Sequence, residues 1–261
     1  MKALQIAATG MAAQQMKVDV VSNNLANMST TGYNPRRADF ADLHYQQMAR
    51  PGSLTAEDGS MLPTGIQIGL GVRPASVSVV LGQGSLDATG ADLDVAIEGN
   101  GYIEVTMPSG LTGYTRDGSL KRSAEGVIVT SDGYPVVPGI TIPADARGIT
   151  ISATGEVWAD FADRLEPEQL GQLTLSSFSN EKGLEAIGSN LFLESPASGA
   201  AFSGAPGQVG LGTLRQGYLE SSSVDAVREV TELIKAQRGY ELNAKVITAA
   251  DQMLAATTQV R

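Results

Sequence analysis

Apolar side chains recur every seven residues at the start of the chain, the spacing of a helix that packs along one stripe. The leading row is Leu4, Met11, Val18 and Leu25, and a companion row three places on is Ala7, Gln14, Val21 and Met28. Asn27, the polar run at 29–32 and Pro35 are stop and turn signals. The pattern therefore predicts an N-terminal helix that ends near Asn27.

The C-terminal segment repeats this design. Its leading row is Leu233, Tyr240, Ile247 and Leu254, and its companion row is Val230, Gln237, Ala244 and Asp251. Glu241 and Lys245 stand four places apart, a favourable pairing on a helix surface. The serines at 221–223 are suitable N-cap residues. The sequence therefore predicts a second helix over residues 224–257.

Between the two helices the pattern changes to a period of two, which is typical of half-buried strands. Residues 92–97 alternate polar and apolar, residues 99–101 (Gly-Asn-Gly) form a turn signal, and residues 102–105 alternate again. Asp117-Gly118, Asp132-Gly133 and Thr154-Gly155 are further hairpin signals, and residues 172–178 form another candidate strand. This part predicts an antiparallel β domain of short strands.

Residues 45–74 follow neither period, because Gly, Pro and Ser interrupt them and only residues 66–72 resemble a strand. We expect an extended excursion or a loose hairpin here. The predicted fold class is thus α+β. N- and C-terminal helices pair as an antiparallel coiled-coil-like domain, with a central antiparallel β-rich domain and an extended hairpin-like insertion.

Both helices carry a second apolar flank that one partner helix would leave uncovered. The flank residues are Ala3, Gly10 and Lys17 on the first helix and Val246, Met253 and Val260 on the second. Helices this poor in charge, with Gly10 and Gly239 inside them, are marginal alone in water. One interpretation is that other copies of the chain complete the ends. The alternative is a monomer whose end helices cap the β domain.

Composition and charge exclude several kinds of partner and site. The formal net charge is −10, and residues 31–219 alone hold −10, so the ends are close to neutral. An acidic middle argues against binding to a phosphate backbone. The chain has no cysteine, which excludes disulfides and thiolate metal sites. No stretch reaches the roughly 20 apolar residues of a membrane span. The polar Gln5, Thr9 and Gly10 interrupt the first apolar run, so we expect no cleaved signal peptide.

The sequence offers little for catalysis. His44 is the only histidine, so no cluster of histidines can bind a metal. Asp92 and Asp94 are the candidate pair of carboxylates for cleavage of a cell-wall glycan, but on an alternating strand they simply share the solvated face. Gly69-Leu70-Gly71 and Gly82-Gln83-Gly84 do not match a phosphate-binding loop. We therefore predict no enzyme activity, no catalytic residues, no cofactor and no metal.

Several motifs in this sequence resemble those of flagellar rod and hook proteins, a family of axial structural proteins. The N-terminal ones are TGM (9–11), SNNLAN (22–27) and TTGY (30–33), and the C-terminal ones are QGYLE (216–220), QRGYE (237–241) and ADQML (250–254). DLDVAIEGNGY (92–102), YTRDGS (114–119) and SDGYPV (131–136) in the middle are similar too. The resemblance covers nearly the whole chain. Glycine at 239 departs from it, because alanine is usual there.

Within that family, the chain length and TGIQIGLGVRP (64–74) resemble the distal-rod members, with proximal-rod or hook proteins as the alternative. The resemblance implies a subunit that assembles helically into a rigid tube, a drive shaft from motor to hook. It implies location in the basal-body rod across the periplasm. It also implies export by the flagellar type III apparatus and contact with rod, hook and surrounding ring or bushing proteins. Neither nucleic acid nor a small-molecule substrate is implied as a partner.

The resemblance also implies roles for three parts of the chain. Residues 1–33 and 218–261 would form the polymerisation domain lining the inner tube, residues 34–75 a segment between subunits, and residues 76–217 an outer β-rich domain. The expected packing residues between subunits are Leu4, Met11, Val18, Leu25, Val230, Leu233, Tyr240, Ile247 and Leu254. The expected stiffening segment contains Tyr45, Pro51, Pro63, Ile66, Ile68 and Val72.

Overall fold

The computed structural model describes residues 2–49, 64–162, 164 and 166–259, and the chain divides into two compact units. The helical unit contains Met1–Ala26, Arg36–Val79 and Asp225–Arg261. The β unit contains Asn27–Pro35 and Val80–Val224. The chain is α+β, with a helix near each end and a β-rich middle, as the change of period predicts.

Two long helices dominate the helical unit, α1 (Lys2–Ala26) and α2 (Ala226–Gln259). Their bounds agree closely with the predicted ones, because the signals that begin and end them are local. The N-cap prediction for the serines at 221–223 is wrong. Asp225 caps α2 instead, where its Oδ1 accepts hydrogen bonds from the amides of Val227 (3.0 Å) and Arg228 (3.1 Å).

A long two-stranded ribbon completes the helical unit. Strand β1 (Arg36–Asp42) pairs antiparallel with β4 (Val72–Val79), and β2 (Tyr45–Ala49) pairs antiparallel with β3 (Ile66–Gly69). The backbone N–H of Val72 donates to Thr9 Oγ1 at 3.3 Å, so the start of β4 lies against α1. A β-carbon on Gly71 would stand 2.2 Å from that hydroxyl, and Gly71 has a φ of +117°. Only glycine therefore fits this contact.

The β unit is built from short antiparallel strands. They are β5 (Leu86–Ala88), β6 (Val95–Glu98), β7 (Tyr102–Thr106), β8 (Thr112–Thr115), β9 (Lys121–Arg122), β10 (Ile128–Val129), β11 (Ala146–Ile151), β12 (Glu156–Phe161), β13 (Glu168–Gln172), β14 (Leu175–Ser177), β15 (Glu185–Gly188), β16 (Leu191–Leu193), β17 (Phe202–Gly204), β18 (Thr213–Gln216) and β19 (Tyr218–Glu220). The largest sheet has the order β15-β16-β8-β7-β14-β17, and another has the order β11-β12-β13. The remaining pairs are β9 with β10, β6 with β18 and β5 with β19.

The large apolar side chains are buried in the β unit. Its main cluster includes Ile97, Ile103, Ile128, Val157 and Leu175, each almost completely buried. A second cluster joins the rings of Tyr102, Tyr114 and Phe178 edge to face. In the helical unit, by contrast, the buried apolar residues among those described are alanines and one valine.

Two of the predicted local hairpins are wrong. Strands β6 and β7 flank the turn at 99–101 but do not pair with each other: β6 pairs with β18, and β7 pairs with β8 and β14. The Asp117-Gly118 signal also joins no hairpin, because the flanking strands β8 and β9 do not pair with each other. Glycine is needed here because a β-carbon on Gly118 would stand 1.6 Å from the carbonyl oxygen of Val95. The hairpin at Thr154-Gly155 is confirmed by the pairing of β11 with β12.

Candidate assembly surfaces

The two long helices lie side by side, and their contacts run in opposite directions along the sequence. Successive residues of α1 meet successively earlier residues of α2: Gly10 with Asn243, Gln14 with Gly239, Lys17 with Glu232, and Asn24 with Glu229. Glycines at Gly10 and Gly239 each leave room for a polar side chain of the other helix. A β-carbon on Gly239 would stand 3.0 Å from Gln14 Cδ.

The predicted packing residues are not the most buried side chains of α1 and α2. Leu4, Met11, Val18, Leu25, Leu233 and Ile247 are half-buried, and Val230, Tyr240 and Leu254 are exposed. The buried apolar positions are instead small: Ala7, Ala13, Val21, Ala236 and Ala250. Small residues let the two backbones approach closely, and the larger side chains stay partly or largely in solvent.

One face of α2 carries large apolar side chains in solvent. Val227, Ile234, Leu242 and Val246 are 78%, 53%, 62% and 48% exposed. At about 100° per residue, Val227, Ile234 and Leu242 lie about 100° or more from the mean direction of the buried Ala236 and Ala250, whereas Val246 lies close to the direction of Ala250. We call Val227, Ile234 and Leu242 the outer face of α2. Val246 belongs to the predicted second flank, and Val260 of that flank lies outside the described residues.

A groove of about 460 Å³ runs between the paired helices. Its lining brings together two predicted packing residues, Val18 of α1 and Tyr240 of α2, with Gln15, Gln237 and Glu241 beside them. The groove therefore offers apolar and polar contacts together.

An ion pair also joins the two helices. Glu232 Oε2 lies 2.6 Å from Lys17 Nζ, and Glu232 Oε1 lies 2.6 Å from Lys235 Nζ. The hydrogen bond from Lys17, followed by that from Lys235, lowers the pKa of Glu232 to about 2. Glu232 is therefore ionised at neutral pH and holds one lysine from each helix.

The β2–β3 ribbon contains much of the predicted stiffening segment. Tyr45, Ile66 and Ile68 are exposed and Val72 is half-buried, while Pro51 and Pro63 lie outside the described residues. Met48 is exposed as well. A two-stranded ribbon of this kind, with apolar side chains in water, is marginally stable alone.

Three segments of the β unit meet at what we call the junction cluster, formed by residues 32–35, 80–85 and 220–223 together with Arg116. The N–H of Gly32 donates to the carbonyl of Glu220 (2.8 Å), and that of Ser223 donates to the carbonyl of Tyr33 (3.0 Å). The N–H of Gly84 donates to Glu220 Oε1 at 2.9 Å. These are the segments by which the chain enters and leaves the β unit.

A buried ion pair lies at the centre of the junction cluster. Arg116 Nε stands 2.6 Å from Glu220 Oε2, and the two side chains are only 8% and 3% exposed. The same guanidinium donates to the carbonyls of Gly101 (3.2 Å) and Gly99 (2.8 Å). No pattern in the sequence predicts this pair. Both residues lie in motifs noted above, YTRDGS and QGYLE, but one sequence does not reveal that they meet.

His44, Asp92 and Asp94 were the candidates for catalysis. His44 and Asp92 are exposed, and Asp94 precedes β6 in an isolated bridge to Ser119, so neither aspartate lies on the predicted alternating strand. Within the described part of the chain, no group of three His, Cys, Asp or Glu side chains is placed to hold a metal ion. No helix in that same part is long and apolar enough to cross a membrane.

These features define a class of protein: an α+β chain with paired helical ends, a β-rich body and large apolar side chains left in solvent on its helical unit. Three family models match such a chain. "Flagella basal body rod protein" covers residues 4–34, "Flagellar hook protein FlgE/F/G D1 domain" covers 96–159, and "Flagellar basal body rod FlgEFG protein C-terminal" covers 215–260.

Relatives that match over nearly the whole chain are also flagellar basal-body rod proteins. The chain is 54% identical to the flagellar basal-body rod protein FlgG of Caulobacter vibrioides over 100% of both chains. It is 49% identical to FlgG of Agrobacterium fabrum over 97% of both. A solved flagellar hook protein, FlgE2 of Helicobacter pylori, matches at 15% identity with a TM-score of 0.25 over 72% of this chain and 43% of that one, too low to inform the fold. The chain belongs to the family of flagellar basal-body rod proteins, structural subunits of the flagellar rod.

Proposed function

We propose that this chain builds the distal rod of the bacterial flagellum, where copies assemble helically into a rigid tube that transmits torque from motor to hook. The identity of 49% or more to two FlgG proteins over nearly full length supports this member of the family over a proximal-rod or hook protein. In this proposal α1 and α2 pair as an antiparallel coiled-coil-like element, and the chain is a structural subunit without catalysis.

The outer face of α2 is the observation that carries self-assembly. Val227, Ile234 and Leu242 leave large apolar side chains exposed on one side of the helix, and large exposed apolar patches mark interaction sites. The helix already uses its opposite side against α1. A second copy of the chain, covering the outer face, would remove these side chains from water.

The segment 34–75 is proposed to lie between subunits, as a hairpin-like insertion that stiffens the tube. Tyr45, Ile66 and Ile68 are exposed on the β2–β3 ribbon, and contact with neighbouring copies would cover them. Residues 1–33 with 218–261 would line the inner tube, and residues 76–217 would face outward. The acidic character of the middle suits an outer, solvated surface.

Export and location complete the proposal. We place the chain in the basal-body rod across the periplasm, exported by the flagellar type III apparatus. Its partners would be other copies of itself, rod and hook proteins, and the ring or bushing proteins around the rod.

Charge substitutions on the outer face test self-assembly. Ile234→Glu or Leu242→Glu would place a carboxylate in a contact between copies, so we expect rods to be lost and swimming to stop. Val209→Glu is the matched control, because Val209 is 99% exposed in the β unit and lies outside the proposed contact. Normal rods in electron micrographs of the Ile234→Glu and Leu242→Glu strains would refute the proposal.

Deletion of residues 45–74 tests the stiffening role. We expect the shortened chain to form rods that bend, visible as curved segments in micrographs of isolated basal bodies. If these rods stay straight, the segment does not stiffen the tube, and the distal-rod assignment loses its structural argument.

A further inference from the structure

A small polar pocket of about 170 Å³ opens in the β unit beside the junction cluster. Its lining includes Arg116, Glu181 and Tyr102, the amides Asn34 and Asn100, and the exposed apolar side chain of Leu81 at its rim. Arg116, Asn34 and Leu81 belong to the junction cluster, whereas Glu181 has no role in the fold described above.

The charges of this pocket do not cancel. Arg116 is already neutralised by Glu220 at 2.6 Å. Glu181, in contrast, accepts a hydrogen bond from the Tyr102 hydroxyl at 3.1 Å, and no basic side chain of the described residues lies within 4.0 Å of its carboxylate. The pocket is left with one uncompensated negative charge.

Tyr102 cannot supply the missing counter-charge. Burial, with the negative charge of Glu181 adding to it, raises the pKa of the Tyr102 hydroxyl, which therefore remains a neutral donor. A carboxylate satisfied by one neutral donor still has free lone pairs. These suit an ammonium or guanidinium group from outside the β unit.

We propose that this pocket binds a lysine or arginine side chain from the helical unit of a second copy of the chain. The proposal rests on the proposed self-assembly. Its support is charge complementarity: the β unit carries 7 basic and 18 acidic residues, whereas the helical unit carries 11 basic and 10 acidic. Glu181 would accept charge-assisted hydrogen bonds from the incoming group, and Leu81 would cover its aliphatic stem.

Binding of a small probe tests the chemistry of the pocket without any assembly. N-acetyl-arginine methylamide is titrated into the dilute full-length chain while amide NMR signals are followed. We expect shifts at Asn34, Gly82 and Asn100, and roughly tenfold weaker binding to Glu181→Gln, the loss of one charge-assisted hydrogen bond. Glu185→Gln, an exposed carboxylate on β15, is the matched control and should bind as the parent does. Equal binding by Glu181→Gln overturns the proposal.

Cross-linking identifies the occupant. The chain has no cysteine, so Leu81→Cys gives a single thiol at the rim to which a benzophenone maleimide is attached. In assembled rods we expect cross-links to a peptide with lysine or arginine from the helical unit of another copy. Cross-links to a different protein, or only within one chain, overturn the proposal. If the Glu181→Gln chain forms normal rods, the proposed pocket contact is refuted and the proposed self-assembly is unaffected. If the unmodified chain binds the probe but forms no rods, the proposed self-assembly is refuted instead.

Discussion

At the scale of single residues, the contact between α1 and α2 gives a reason for glycine at position 239, inside α2. A β-carbon there would press on Gln14 Cδ at 3.0 Å, and glycine gives Gln14 the space it occupies. In return, glycine makes the helix about 1 kcal/mol less stable than alanine would. Gly239 and Gln14 are therefore coupled through space.

This coupling is testable by a double-mutant cycle. Gly239→Ala alone should stabilise the helical unit by clearly less than ~1 kcal/mol, because Gln14 must move away from the new methyl group. In a Gln14→Ala background the same change should give the full ~1 kcal/mol. Urea unfolding followed by circular dichroism measures both. An identical gain in the two backgrounds would show that Gln14 and Gly239 do not interact.

Glu232 links the helices in a way that depends on pH. Its pKa is about 2 in the folded chain and 4.5 ordinarily, so its contribution to stability is fully present above pH 4.5 and is lost as the pH falls through 2. Solvent screening keeps this contribution at about 1 kcal/mol or less. Glu232→Gln should therefore destabilise the helices at pH 7, and this effect should become small as the pH falls to 2.

The control for Glu232 is Glu241→Gln. Glu241 pairs only with Arg238 of its own helix, at 3.2 Å, among the ion pairs of the described residues. Thermal unfolding of both variants at pH 7, 4 and 2 decides the question. A loss of stability by Glu232→Gln that is the same at every pH would contradict the role of its charge.

At the scale of elements, the sequence predicted what local signals determine. The ends of α1 and α2 follow from turn residues near Asn27 and from the apolar period, and the structure places them within about two residues of the predicted bounds. The period of seven did not show which row is buried. Close approach of two backbones selects alanines, and the large leucine and methionine side chains that mark the period are half-buried or exposed.

Strand partners were predictable only where they are neighbours in the chain. The β11–β12 hairpin was found from its turn, whereas β6 pairs with β18 more than a hundred residues away. Buried Ala96 also breaks the alternation expected of β6, because this strand is covered on both faces. The Arg116–Glu220 pair could not be predicted for the same reason: 104 residues separate its members, and no short-range pattern connects them.

That pair determines how three segments of the β unit are held together. Glu220→Gln would leave the Arg116 guanidinium buried without a counter-charge, and we expect a loss of about 3–5 kcal/mol in the free energy of unfolding of the β unit. Replacing both residues, as Arg116→Met with Glu220→Leu, should cost much less because no charge then stays buried. Urea unfolding followed by Trp158 fluorescence measures each variant.

The comparison needs an exposed ion pair as its control. Arg164 and Glu168 form one on the surface of the β unit. Glu168→Gln should change the stability by less than ~1 kcal/mol. If Glu220→Gln proves as mild as Glu168→Gln, water must reach the Arg116 charge, and the junction cluster is not a closed core.

At the scale of the whole molecule, apolar burial is unequal between the two units. The main cluster of large buried side chains, from Val95 to Leu214, belongs entirely to the β unit. The helical unit buries Ala7, Ala13, Val21, Ala236 and Ala250 among its described residues. Buried apolar area is the main favourable contribution to folding, so a dilute single copy should hold its β unit more firmly than its helices.

Two optical signals separate the units in one heating experiment. Both α-helices of the described chain lie in the helical unit, so circular dichroism at the helix band reports that unit. Trp158 is the only tryptophan and lies on β12, so its fluorescence reports the β unit. In dilute solution we expect the helix signal to fall first, with a midpoint more than roughly 10 °C below that of Trp158. Assembly should raise the helix midpoint by mass action and leave the Trp158 midpoint nearly unchanged. Coincident transitions in the dilute chain would mean that the helices need no second copy to be stable, and the physical argument for a polymer of this chain would fail.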